Sequence, residues 1–338
     1  MGTMPKTTPD EACAWERFER IDIEGAAREL AGVVTRTPLL AHRTDDARVE
    51  LRLKLENRQE TGAFKARGAW NQLRQLDPDE RARGVVACSS GNHGRALSWA
   101  ARRAGVAATI VMPHDAYPNK IEACRELGAE VVLAPSRERA EEIVAERVEA
   151  GTVEVHPYDA ERTIAGAGTV GLEIAEDWPE VEVVVLPVGG GGLSAGSSLA
   201  LRRRLGASVR IVTVEPAGAA TLDRALAAGG PAILSEISTE VQGLCPLACG
   251  VLNHEILATT IDRNALLEDE VIFAAQKRLV HAGEVVEPAG AAASAYVFEH
   301  IPEEWLTGRD ADNPLRVCAV VSGGNPDPAQ LAALRAAP

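Results

Sequence analysis

The chain has 338 residues, 46% hydrophobic and 4% aromatic, and carries a net charge of −14 from 35 Lys and Arg against 49 Asp and Glu. That length and apolar content suffice for two lobes packed mainly by Ala, Val, Leu and Ile. The acidic balance excludes a nucleic-acid partner, whose phosphates draw on clustered Lys and Arg.

The opening stretch MGTMPKTTPDEACAWERFER has no apolar core for a signal peptide and nothing approaching the roughly 20 apolar residues of a membrane span. Lys6 also breaks the myristoylation pattern. A soluble, cytoplasmic protein with no membrane partner is expected. The six cysteines (Cys13, Cys88, Cys124, Cys245, Cys249, Cys318) are scattered, as reduced thiols would be. Cys245 and Cys249 lack a matching His or Cys pair, so no metal is expected there.

Further along, β-branched runs alternate with helix-period segments. GVVAC (84–88), ATIVM (108–112), EVVLA (130–134), VEVVVL (181–186), VRIVTV (209–214) and RVCAVV (316–321) read as the strands of a parallel α/β fold. The regular 84–156 block could form a lobe of its own. In such sheets ligands bind beyond the carboxyl ends of strands. That rule selects SSGNHG (89–94), GGGG (189–192), EPAGAA (215–220) and SGGN (322–325).

The glycine loop alone is ambiguous. Gly190, Gly192 and Ala195 fit a dinucleotide pattern, Gly192, Ser194 and Gly196 fit a hydrolase elbow, and four glycines fit any phosphate cradle. Lysine usage narrows the choice. Only Lys6, Lys54, Lys65, Lys120 and Lys277 interrupt an otherwise arginine-based set of cations. Lys65 stands in ETGAFKARGAW among small residues and one aromatic. Such neighbours would desolvate the amine and favour a nucleophilic Schiff-base lysine, although a helix-surface lysine is the plainer alternative.

Six motifs in order, ENRQETGAFKARGA, SSGNHGRALSWAA, VHPYDAERTIAGAGT, VVVLPVGGGGLSAG, VEPAGA and VVSGGN, resemble the threonine dehydratase and serine racemase family of pyridoxal-phosphate enzymes of fold type II, across about residues 30–326. The resemblance implies two lobes, each with a mostly parallel twisted sheet flanked by helices. Residues 1–80 and 160–338 would form a large cofactor-binding domain and 81–159 a small one. Lys65 would hold pyridoxal phosphate, with Phe64 before it and Asn92 on the ring oxygen. Gly189, Gly190, Gly191, Gly192 and Leu193 would cradle the phosphate through backbone amides, and Ser322 would face the pyridine nitrogen. Ser89, Ser90, Gly91, Asn92 and His93 would receive the substrate carboxylate. The implied reaction is dehydration and deamination of a β-hydroxy amino acid, L-threonine, L-serine or 3-hydroxyaspartate, to a 2-oxo acid and ammonia. Ser90 either delivers a proton from the opposite face, giving racemisation, or only shapes its loop. A homodimer or homotetramer is implied as well.

The chain departs from the family in places. A divalent-cation site at spacing 0, 4 and 6 finds Glu215 and Ala219, but Thr221 stands at the third ligand position. VQGLCPLACG replaces a commoner Ala-Asp-Gly segment, and Ala63 replaces a common Ser. Glu287 either lies near the site or caps a helix, the latter being preferred. The rival from another class is an NAD-dependent dehydrogenase using Gly190, Gly192, Ala195 and Glu215, which leaves Lys65, SGNHG and SGGN unexplained.

Overall fold

The computed structural model describes residues 16–337; most of the stretch read for targeting signals, with Lys6 and Cys13, lies outside them. Among the described residues the strands form two sheets. The larger runs, in spatial order, β1 (Leu39–His42), β2 (Val49–Lys54), β10 (Leu315–Val320), β7 (Val183–Pro187), β8 (Arg210–Pro216) and β9 (Arg263–Leu267). The smaller runs β5 (Glu130–Ala134), β4 (Ala108–Pro113), β3 (Val85–Cys88) and β6 (Val153–Glu154). All neighbours pair in parallel except β1 with β2.

The six expected strands are present with ends shifted by no more than two residues. VVVLP of β7 is buried at every position, as a strand covered by helices on both faces must be. Strands β1, β2, β6 and β9 were not expected. VELRLK of β2 alternates apolar with charged residues, and its Lys54 is fully buried, an arrangement that composition does not announce.

Helices Glu161–Asp177 and Gly192–Leu205 pack against each other. A Cβ on Gly168 would meet the Gly196 carbonyl at 2.8 Å, so the small residues of AGAGT and LSAG permit close backbone contact. Since β2, β10, β7 and β8 are parallel neighbours, their carboxyl ends share one rim. From that rim issue the segment leading to Lys65, then Ser322–Asn325, Gly189–Gly192 and Ala217–Thr221. Ser89–Gly94 leaves β3 of the smaller sheet.

Candidate active site

Lys65 opens the helix Lys65–Arg74, and the turn before it is stitched to the segment after β10. Phe64 N–H donates to the Ser322 carbonyl (3.1 Å), and Gly324 N–H to the Gly62 carbonyl (2.7 Å). Ala63 bridges Gly323. The Lys65 amine donates to the Pro157 carbonyl at 2.7 Å and lies 5.0 Å from the Phe64 ring centre and 6.0 Å from that of Tyr158. Lys65 as a whole is half-buried, but its nitrogen is enclosed, and desolvation lowers its pKa to about 8. No carboxylate among the described residues pairs with it, so the neutral fraction near neutrality is far larger than for a solvated lysine.

The glycine loop closes the next side. A Cβ on Gly190 would run into the Tyr158 ring, and one on Gly192 would meet the Tyr158 carbonyl at 2.7 Å. Gly191 has φ +95°, where any side chain would be strained. No side chain caps the helix Gly192–Leu205, so its first N–H groups are left for an anion. Four separate segments thus bring together an enclosed amine, an uncapped helix start and side-chain-free backbone.

Asn92 lies against the segment that Ser322 opens, where a Cβ on Gly323 would meet Asn92 Nδ2 at 3.1 Å. The Asn92 amide donates to the Glu287 carboxylate and accepts from Asn325 Nδ2 at 2.7 Å; Arg95 in turn donates to Asn325 Oδ1 at 2.6 Å. Ser322 is buried with its hydroxyl 3.4 Å from the Ala289 carbonyl. Ser89 Oγ accepts from the N–H groups of Gly91 (3.3 Å) and Gly94 (3.0 Å) and thereby fixes the start of the helix Asn92–Ala104. Ser90 and Gly91 are half-buried at that turn. The His93 imidazole turns inward to the Val155 carbonyl at 2.8 Å. Burial lowers its pKa to about 3, so the ring is neutral and only its backbone N–H could serve a substrate.

Glu287 corrects the preference for a capping role. It occupies the residue position before the helix Pro288–Glu299, yet its side chain makes no capping bond. The carboxylate instead reaches Asn92, and burial raises its pKa. A cavity of about 540 Å³ adjoins Glu287 and Asn325, with Tyr117, Lys120, Gln242 and Phe273 among its walls. Gln242, in the unusual VQGLCPLACG segment, accepts from Lys120 (3.2 Å) and donates to Tyr117 Oη (2.9 Å).

Glu215 does not fit either ligand role open to it in the sequence. Its carboxylate already receives Thr221 Oγ1 (3.0 Å), Leu222 N–H (2.7 Å), Asp223 N–H (2.9 Å) and Asn264 Nδ2 (2.8 Å). Donors face both oxygens, which a divalent cation would repel, and no ribose hydroxyl could be accepted. Ser194 likewise fails as a nucleophile. It is fully buried inside a helix, donating to the Pro187 carbonyl at 2.8 Å.

Comparison with known proteins places this geometry. Residues 30–323 match the family model described as "Pyridoxal-phosphate dependent enzyme". The chain belongs to the pyridoxal-phosphate dependent enzymes. Within this family it is 39% identical over 312 residues to an L-threonine ammonia-lyase of Thermotoga maritima, covering 90% of this chain and 75% of the relative. It is 35% identical over 310 residues to a serine racemase of Oryza sativa subsp. indica, covering 90% of each. Maize serine racemase superposes with a TM-score of 0.84 at 33% identity, over 92% of this chain and 95% of that one. The fold is fold type II, as expected, and the dehydrogenase reading falls.

Three partnerships escaped sequence reasoning. Tyr158 lies within HPYDAE, whose Pro and Asp gave no hint that the ring would press on Gly190. Glu287 and Asn92 are 195 positions apart. Thr221 was noticed only as a missing ligand, although Glu215 six residues earlier is an orthodox distance for a turn returning to a strand end.

Proposed function

We propose that this chain catalyses pyridoxal-phosphate-dependent α,β-elimination, converting a β-hydroxy amino acid such as L-threonine or L-serine to a 2-oxo acid and ammonia. The enclosed Lys65 amine carries the reading, joined by Phe64 to Ser322 and through Pro157 and Tyr158 to Gly190. Relatives named L-threonine ammonia-lyase and serine racemase support it.

Bound pyridoxal phosphate supplies an electron sink for the bond to the substrate α-hydrogen. Lys65 would hold the cofactor at rest and, once freed, would take the α-proton on Nζ. Asn92 would hold the ring oxygen, Phe64 would flank the ring, and Gly189 to Leu193 would bind the phosphate by backbone amides. Ser322 offers the ring nitrogen a neutral hydroxyl, which does not keep it protonated as a carboxylate would. The sink is then weak, which suits an elimination that expels charge as it forms. The substrate carboxylate meets the turn from Ser89 to His93, with the Ser89 hydroxyl shaping it and the Ser90 hydroxyl free for the substrate.

Residues 1–80 and 160–338 act as a large cofactor-binding domain and 81–159 as a small one; the separate sheet formed by β3 to β6 supports that division. Exposed Ile233, Leu247 and Val251 support association into a homodimer or homotetramer. A cytoplasmic site is consistent with the free cysteines Cys88, Cys124, Cys245, Cys249 and Cys318.

Purified protein should absorb visible light, and borohydride should fix the cofactor to Lys65. L-threonine, L-serine and 3-hydroxyaspartate are then assayed for ammonia and 2-oxo acid. A colourless protein that binds NADH would overturn the reading. Racemisation is the second reading, favoured by Ser90 at the turn beside Asn92. Ser90→Ala should abolish interconversion of L- and D-serine and lower ammonia release from L-serine by a much smaller factor.

A further inference from the structure

The backbone carbonyls of the glycine loop are tied back one by one. Pro187 O accepts from Ser194 Oγ (2.8 Å). Gly189 O accepts from Thr221 Oγ1 (3.0 Å). Gly190 O accepts from Asn253 Nδ2 (2.7 Å) and Gly250 N–H (3.0 Å). In a trans peptide the carbonyl and the following N–H point in opposite directions. Anchoring Gly189 O therefore turns the Gly190 N–H the other way, and anchoring Gly190 O does the same for Gly191.

Thr221 is the least expected of these anchors. It is fully buried at the start of the helix Thr221–Ala228. Its single hydroxyl proton lies between two acceptors, Gly189 O and Glu215 Oε1, each at 3.0 Å. Glu215 is itself held by Leu222, Asp223 and Asn264, so the hydroxyl is clamped at one end by β8 and its following turn. These protein donors occupy the carboxylate that a cation would require.

Resting on the cofactor reading above, we propose that Thr221, buttressed by Glu215, is a positioning residue that fixes the Gly189–Gly190 peptide with its N–H toward the cofactor phosphate, making phosphate capture independent of a divalent cation. Loss of the hydroxyl leaves Gly189 O unpaired and the peptide free to rotate. The effect falls on the phosphate and spares the aldehyde end of the cofactor.

The test uses the full-length apoenzyme titrated with pyridoxal phosphate and, separately, with pyridoxal, which lacks the phosphate. Thr221→Val should raise Kd for pyridoxal phosphate about tenfold, the loss of one well-made anchoring bond, and leave Kd for pyridoxal unchanged. Thr221→Ser should restore binding to within about twofold. Should the valine variant not fold, Thr221→Ala carries the same expectation. EDTA and Mg²⁺ should leave wild-type affinity unchanged. Equal losses for both ligands, no loss for either, or a gain on adding Mg²⁺ would each overturn the proposal while the cofactor reading stands. A wild-type protein that takes up neither ligand would overturn the cofactor reading itself.

Discussion

Phe64 and Ser322 are hydrogen-bonded through their backbones at 3.1 Å, which sets the turn carrying Lys65 against the serine expected at the cofactor nitrogen. Residues 258 positions apart are thereby held in one fixed relationship by main-chain atoms, a bond that only proline at position 64 would delete outright.

The enclosed Lys65 gives a pH signature. Its amine sits at about 8 instead of the ordinary 10.5, so uptake of pyridoxal phosphate by the apoenzyme should accelerate as pH rises through about 8. A protein whose uptake inflects near the ordinary lysine value would place the amine in water. For stability the sign is the same. Between the two values the unfolded chain binds more protons, so apoenzyme stability rises with pH across that window.

Glu287 is a buried carboxyl whose pKa is raised by desolvation and only partly restrained by the Asn92 amide. Ionising it costs the folded state, so its contribution to stability falls as pH climbs past the ordinary value of 4.5. Glu287→Gln keeps an acceptor for Asn92 and removes that cost. Thermal unfolding at neutral pH should show the variant melting no lower than wild type, with a flatter pH profile above the carboxyl range.

Beneath Lys65 lies a charge-balanced cluster. Arg67 Nε and Nη2 each reach Glu56 at 2.8 Å, Nη1 and Nη2 reach Glu173 at 2.6 and 2.9 Å, and Lys54 donates to Glu173 at 2.5 Å. Arg67, Lys54 and Glu56 are all fully buried. Arg67→Met leaves Glu56 without a cation and Glu173 with Lys54 alone, and should cost about 3–5 kcal/mol in chemical denaturation. Arg67→Lys keeps the charge but loses the forked geometry, and should fall between it and wild type.

Gly190 tests the cradle directly. A Cβ there enters the Tyr158 ring, so Gly190→Ala should weaken pyridoxal-phosphate binding by about five- to 150-fold, an overpacking cost of ~1–3 kcal/mol. Combining it with Tyr158→Leu should recover part of that loss in a double-mutant cycle. Strict additivity would mean the two residues do not press on each other.

Six of the parallel strands were legible in the sequence because buried β-branched runs followed by Gly and Ser leave a local signal, whereas β2, β6 and β9, also parallel, were not. Lys65, Asn92 and the glycine loop were legible as ordered motifs. The buried cluster was not: nothing local to Lys54 and Glu56 announces their burial, and Arg67 and Glu173, which neutralise them, arrive from separate helices. Glu287 was misjudged for a related reason. A carboxylate before a proline-started helix has a local explanation, and its actual partner Asn92 is supplied by the other sheet's connection. Strand β2 was hidden because its alternate positions are charged: Glu50 and Arg52 pair with each other along the strand, and Lys54 finds Glu173 across the fold.

The position of β10 also bears on how the molecule comes into being. This strand follows the other nine in the described chain, yet it lies between β2 and β7, pairing Leu315 with Val49 across about 266 positions. The larger sheet therefore cannot close until β10 has emerged, and contacts of such separation form slowly. Until then the rim lacks Ser322 and the support it gives to Phe64. A nascent chain has no finished place for a cofactor, and ligand capture becomes one of the last events of folding, a report that the sheet is complete.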